Sequence, residues 1–141
     1  MARRGLSCRC IRCREIKGDF KASQKAALVH RTYAASGGME HFLSFETEDR
    51  KKICAFLRLR LNKEPPIDNP FSELEQTALI REVHVYGQLI ATSDRKTQKT
   101  QHFGFGRQLL RKAEELARRE GYHRIAVIAG VGSREYYRKF G

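Results

Sequence analysis

Two glycines, Gly104 and Gly106, stand just before RQLLRKAEELARRE, and this junction constrains the chain more than any other stretch. Leu109, Leu110, Ala113, Leu116 and Ala117 recur at three- and four-residue spacing, while Arg107, Lys112, Glu115, Arg118 and Arg119 fill the positions between them. That period predicts a helix with one buried face, ended by Gly121. A helix start leaves backbone N–H groups unpaired and carries partial positive charge, so glycines that admit a ligand to the main chain suit a phosphate there. Gln101-x-x-Gly104-x-Gly106 therefore reads either as a phosphate-binding loop or as a tight turn capping a core helix.

A chain of 141 residues, 40% apolar and 31% charged, fits one globular domain. No run approaches the roughly 20 apolar residues that cross a bilayer, and the arginines of MARRGLSC have no apolar segment behind them as a secretion signal would. The expected compartment is the cytoplasm, where thiols stay reduced and clustered cysteines suggest metal before disulfide. Lys and Arg number 28 against 16 Asp and Glu, a formal charge of +12. An excess that large favours polyanions, either nucleic acid or a phosphorylated cofactor, over a surface made basic for solubility alone.

Residues 1–18 form a basic, cysteine-rich segment ahead of a domain spanning 19–141. Cys8, Cys10 and Cys13 offer three thiolates on one short loop, enough to share a tetrahedral zinc whose fourth ligand comes from elsewhere. Cys54, His84 and His30 are the candidates for it; zinc fits better than an iron–sulfur cluster. Beyond this segment, AALVHRTY, MEHFLSFE and ICAFLRLRL read as three strands joined by turns too short for anything but antiparallel pairing. In the third, Leu57, Leu59 and Leu61 share a core face, and Phe56, Arg58 and Arg60 a mixed basic one. Residues 62–77 hold all three prolines and read as a loop.

ALIREVHVY, residues 78–86, is a fourth strand in which Ile80, Glu82, His84 and Tyr86 alternate against Leu79, Arg81, Val83 and Val85. Glu82 and His84 thus point to one side, and Glu82 would serve as a general base if burial raised its pKa; the plainer expectation is an ion pair with an arginine. RIAVIAG, 124–130, reads as a strand buried on both faces, and Ser133 as the N-cap of a last short helix.

Strand, Gln-x-x-Gly-x-Gly, helix, strand and a tyrosine-bearing helix, in that order, resemble the GNAT acyltransferase fold, a mixed α/β domain with a largely antiparallel twisted sheet and flanking helices. Several stretches are similar to one branch of it: Ile11 to Glu15, Tyr33 to Gly38, Phe56 to Arg60, Arg81 to Gly87, Gln101 to Gly106, and Gly130 to Gly141. These resemble the acetyltransferase-like domain of the Elongator catalytic subunit family, tRNA wobble-uridine carboxymethylating enzymes of prokaryotic type. The resemblance implies that a radical S-adenosylmethionine domain with an iron–sulfur cluster, in cis or in trans, works with an acetyl-CoA domain, with tRNA across both. Acetyl-CoA would donate the two-carbon unit, and Cys8, Cys10 and Cys13 would bind zinc.

Carried onto this chain, Gln101, Phe103, Gly104, Phe105, Gly106 and Arg107 would hold acetyl-CoA. Tyr136 and Tyr137 would meet the thioester, one of them protonating the leaving thiolate, beside Glu82 and His84. Arg3, Arg4, Arg9, Arg12, Arg14, Arg95, Lys96 and Lys99 would meet tRNA phosphates; neither DNA nor membrane is expected as a partner. The family pattern also has a radical domain and closing strands that these 141 residues do not contain, so the GNAT sheet is expected to be truncated at its C-terminus and the chain alone unable to complete the modification. Two rivals remain: an acetyltransferase acting on protein lysine or a small amine, with Glu82 as base, and a non-catalytic zinc-stabilised RNA-binding module.

Overall fold

The computed structural model describes residues 8–17, 20–62, 71–86 and 104–139. Five strands form one sheet in the order β1-β2-β3-β4-β5: Ala27–Ala35, Gly38–Glu46, Ile53–Leu61, Thr77–Val85 and Arg124–Val127. The first four pair antiparallel, as their short connections require, and β5 returns parallel to β4 after the helix α2. Ser36 and Gly37 both have positive φ between the paired Ala35 and Gly38, the two-residue turn whose twist matches that of a hairpin.

The helix predicted from the apolar spacing is α2, Phe105–Arg119, and the positions it buries include the five named from the sequence. Leu109, Leu110, Ala113, Leu116 and Ala117 pack with Leu43, Leu57, Leu59 and Ile80 of the sheet in one core. Gly121, at φ 87°, ends it. A four-residue α1, Phe20–Ser23, precedes β1, and α3, Arg134–Arg138, follows β5. The opposite sheet face carries a smaller cluster, Phe42, Ile53 and Phe56, against which Ile11 and Tyr86 pack. The N-terminal segment reaches this region through a 3-10 turn at Arg12–Arg14, a parallel bridge from Glu15 to Ile53, and a hydrogen bond from Ile16 N–H to the Ile53 carbonyl.

Three sequence expectations need correction. In β4 the pairing jumps from Arg58↔Glu82 to Leu59↔Ile80, so Arg81 is an extra residue, a β-bulge. Strict alternation fails there: Ile80 joins Val83 and Val85 on the α2 side instead of sharing a face with Glu82 and His84. The strand β5 is four residues long and half-buried, not enclosed on both faces, because among the described residues it borders only β4. Ser133 does stand at the N-cap position of α3, but its hydroxyl donates to the Gly130 carbonyl and caps nothing. The proline-containing loop is described at Asn62 and again from Phe71, with a 3-10 turn at Ser72–Leu74.

Candidate acyl-donor site

Gly104 holds the N-cap position of α2 with φ 65°, ψ 21°, a left-handed conformation that glycine adopts without strain, and no side chain caps the helix. A helix start with glycine at its N-cap is the arrangement that suits phosphate. Phe105 is buried and its ring stacks on Phe45 at 4.4 Å, which fixes the helix start on the sheet, while Arg107 is exposed. Gly106 is the contact point. A Cβ there would run into the hydroxyl of Tyr136 and lie 3.4 Å from Val85 Cγ2, so three distant stretches meet at one glycine.

Parallel pairing of β4 with β5 covers only Thr77↔Arg124 through Ile80↔Val127, extended by a hydrogen bond from Ile128 N–H to the Ile80 carbonyl. The bulge at Arg81 follows at once, and among the described residues β4 has no partner on that side from there to Val85. The opening so formed lies beside the helix start and beside Tyr136 and Tyr137, whose rings meet edge-to-face at 5.3 Å. Burial pushes both phenol pKa values up, so each stays protonated at neutral pH and is able to donate a proton. Tyr136 keeps 39% of its surface exposed, whereas Tyr137 packs against the core.

Glu82 and His84 lie on the reverse face of the same strand end. Glu82 is in contact with solvent, not in a dry cleft, and it pairs with Arg58 at 3.5 Å, the plainer of its two expected states. His84 is exposed and its ring lies 4.4 Å from Tyr86 and 5.8 Å from Phe56. With Arg12 these residues line an open cleft of about 490 Å³.

The thiol sulfurs of Cys8, Cys10 and Cys13 lie within 4.8 Å of one another, the one such group among the described residues. A backbone N–H of Cys13 and the thiols of Cys8 and Cys13 hydrogen-bond to Cys10 and bring its pKa to about 7, while hydrogen bonding to Cys10 raises Cys13 to about 11. One thiolate steadied by two thiols suits a thiophilic cation such as zinc. None of the fourth-ligand candidates joins it: Cys54 is buried in the core, His84 stacks as described, and His30 bonds to His41 at 2.9 Å.

Arg9 and Arg12 are exposed, as contacts to an anion require. Arg14 is not available, because its guanidinium donates to buried Glu46 and to the Arg50 carbonyl. Gln101, Phe103, Arg3, Arg4, Arg95, Lys96 and Lys99 lie outside the described residues. The sequence reading missed two buried carboxylates. Glu46 binds Arg14 and Arg31, and Glu40 binds Arg60 and Arg81. Their only signal was the basic alternation on the outer face of β3, which asks for counter-charges without saying where they lie.

A mixed sheet opened between β4 and β5, with a glycine-started helix at the opening, defines the class: an acyltransferase fold. The chain belongs to the GNAT acetyltransferase family, whose model matches residues 12–141. It is 43% identical over its whole length to the tRNA uridine(34) acetyltransferase of Methanocaldococcus infernus, of which it spans 27%. It is also 43% identical over 97% of its length to human Elongator complex protein 3, spanning 26% of that protein. The solved structure of the archaeal Methanocaldococcus infernus Elp3 with an N-terminal deletion superposes on the whole chain with a TM-score of 0.74 at 38% identity, and the chain spans 34% of it. The chain thus corresponds to about a quarter of the length of its curated relatives.

Proposed function

We propose that this chain is the acetyl-CoA-binding part of a tRNA uridine(34) acetyltransferase, acting in the cytoplasm. The observation that carries the reading is the meeting of Gly106, Val85 and the Tyr136 hydroxyl where α2 begins beside the opened half of β4. The backbone at the start of α2 would hold the pyrophosphate, and the opening would take the pantetheine arm. A tyrosine of the α3 pair would protonate the departing thiolate as the acetyl group is activated or hydrolysed. Radical chemistry at C5 of the wobble uridine would belong to an S-adenosylmethionine domain of the whole enzyme, with its iron–sulfur cluster. Zinc on Cys8, Cys10 and Cys13 would tie down the N-terminal segment. The charge of +12 supports tRNA as the partner.

The test follows release of free CoA from acetyl-CoA with and without tRNA, for the wild type, Tyr136→Phe and Tyr137→Phe. The reading expects release that tRNA stimulates and that one phenylalanine variant abolishes. Acetylation of an amine at a rate indifferent to tRNA would replace it with an N-acetyltransferase. RNA binding with no CoA release and no acetyl-CoA binding would leave only a binding module.

A further inference from the structure

We propose that Arg81, Glu40 and Arg60 are positioning residues for the acyl donor: together they hold the β4 bulge, and the bulge decides which part of β4 faces the opening. The proposal rests on the reading above that acetyl-CoA is the ligand, and it says what sets the wall along which the pantetheine arm lies. On the paired side of the bulge, the Ile80 carbonyl turns to β5 and accepts from Ile128 N–H at 2.9 Å. Beyond the bulge, Tyr86 N–H turns the other way and donates to the Cys54 carbonyl on β3 at 2.9 Å. Main-chain groups alternate along a strand, so Glu82 and His84 also turn to β3, while Val83 and Val85 turn to the opening. Without the extra residue the alternation would run on from Ile80 and turn Glu82 and His84 there instead.

Side chains follow the same inversion, because a one-residue slip exchanges the two faces of a strand. Arg81 and Glu82, neighbours in sequence, are both exposed, whereas Ile80, Val83 and Val85 pack into the core beside α2. The donor side of β4 is therefore valine, with Val85 Cγ2 3.4 Å from the Cβ position of Gly106, and Glu82 and His84 are kept off it. The extra residue is held by a single oxygen. Arg81 Nη1 donates to Glu40 Oε1 at 2.6 Å, and Arg60 Nη1 donates to the same atom at 3.0 Å. Glu40 is 2% exposed and its second oxygen has no hydrogen-bond partner among the described residues, so these two guanidinium groups alone hold the carboxylate there. Arg60 is fixed in turn by the Ala35 and Ser36 carbonyls, and its side chain is 16% exposed against 44% for Arg81, which makes Arg81 the movable member. A bulge released from that contact is free to move along β4, and each residue it passes changes faces.

The experiment uses the whole chain and compares two ligands by titration calorimetry: acetyl-CoA, and 3′-phosphoadenosine 5′-diphosphate, which has the pyrophosphate but no pantetheine arm. Arg81→Gln is expected to weaken acetyl-CoA about tenfold, the worth of one or two hydrogen bonds, and to leave the diphosphate affinity unchanged. Retained diphosphate binding also shows that the variant is folded. Arg81→Lys keeps a positive charge for Glu40 and should recover most of the loss. Glu40→Gln should divide the two ligands as Arg81→Gln does. Arg31→Gln breaks an ion pair with buried Glu46, away from the bulge, and should leave both affinities unchanged. Wild-type acetyl-CoA affinity in Arg81→Gln, an equal loss for both ligands, or the same division in Arg31→Gln overturns the proposal and leaves the acetyl-CoA reading standing. Binding of neither ligand by the wild type overturns the proposal and that reading together.

Discussion

At the scale of single residues, Gly106 is required for what passes over it and not for its own backbone, which is helical. The helix gains about 1 kcal/mol when an interior glycine becomes alanine. The added methyl, however, must displace the Tyr136 hydroxyl, the far end of a side chain that can swing away. Gly106→Ala is therefore expected to melt within a few degrees of the wild type. Its acetyl-CoA affinity should fall about tenfold, as overpacking typically costs 1–3 kcal/mol; calorimetry checks both. The need for small residues at 104 and 106 was legible in the sequence, since glycine before an amphipathic stripe has few other uses. That Tyr136 is the neighbour was not, because thirty residues of chain separate them and only the packing of α3 brings the two together.

At the scale of elements, the bulge in β4 is what divides the strand into a paired half and an open one. It is held from across the sheet. Arg81 donates to Glu40 on β2 at 2.6 Å, passing β3, and Arg60 donates to the same oxygen at 3.0 Å while also binding the Ala35 and Ser36 carbonyls. Glu40 is 2% exposed, so its charge is tolerated only because two guanidinium groups meet it. Glu40→Gln leaves them without a counter-charge and should destabilise the fold by about 3 kcal/mol in urea unfolding. Hydrogen exchange at the Ile80 to Val83 amides should quicken more than elsewhere in the sheet, and equal quickening throughout would deny the carboxylate this local role. Periodicity shows neither the bulge nor its clamp, because a one-residue insertion leaves the apolar pattern intact on either side of it.

For the molecule as a whole, Glu46 joins the N-terminal segment to the sheet. Burial alone would push its carboxyl up, but hydrogen bonds from Arg31, Ser44 and Arg14 overcome this and hold it at about 2, against an ordinary 4.5. A pKa lowered by folding stabilises the folded state above the ordinary value, and that contribution is lost as pH falls from about 4.5 towards 2. Thermal melts should show this loss in the wild type. Glu46→Gln should be weaker by about 3 kcal/mol at neutral pH and lack that acid slope. Since Cys13 sits in the same 3-10 turn as Arg14, the variant should also loosen the cysteine group.

The sequence by itself determined the order of elements, the buried face of α2, the antiparallel strands and the cysteine triad, since each depends on neighbours a few residues apart. The tertiary structure decided what depends on residues far apart in the chain. It set Arg81 out of register, left β5 at an edge, withdrew Arg14 from the surface to meet Glu46, and brought Arg58, Glu82 and His84 together along one open cleft. Local periodicity carries no record of which charges are buried together, because burial belongs to the assembled sheet and not to any strand alone.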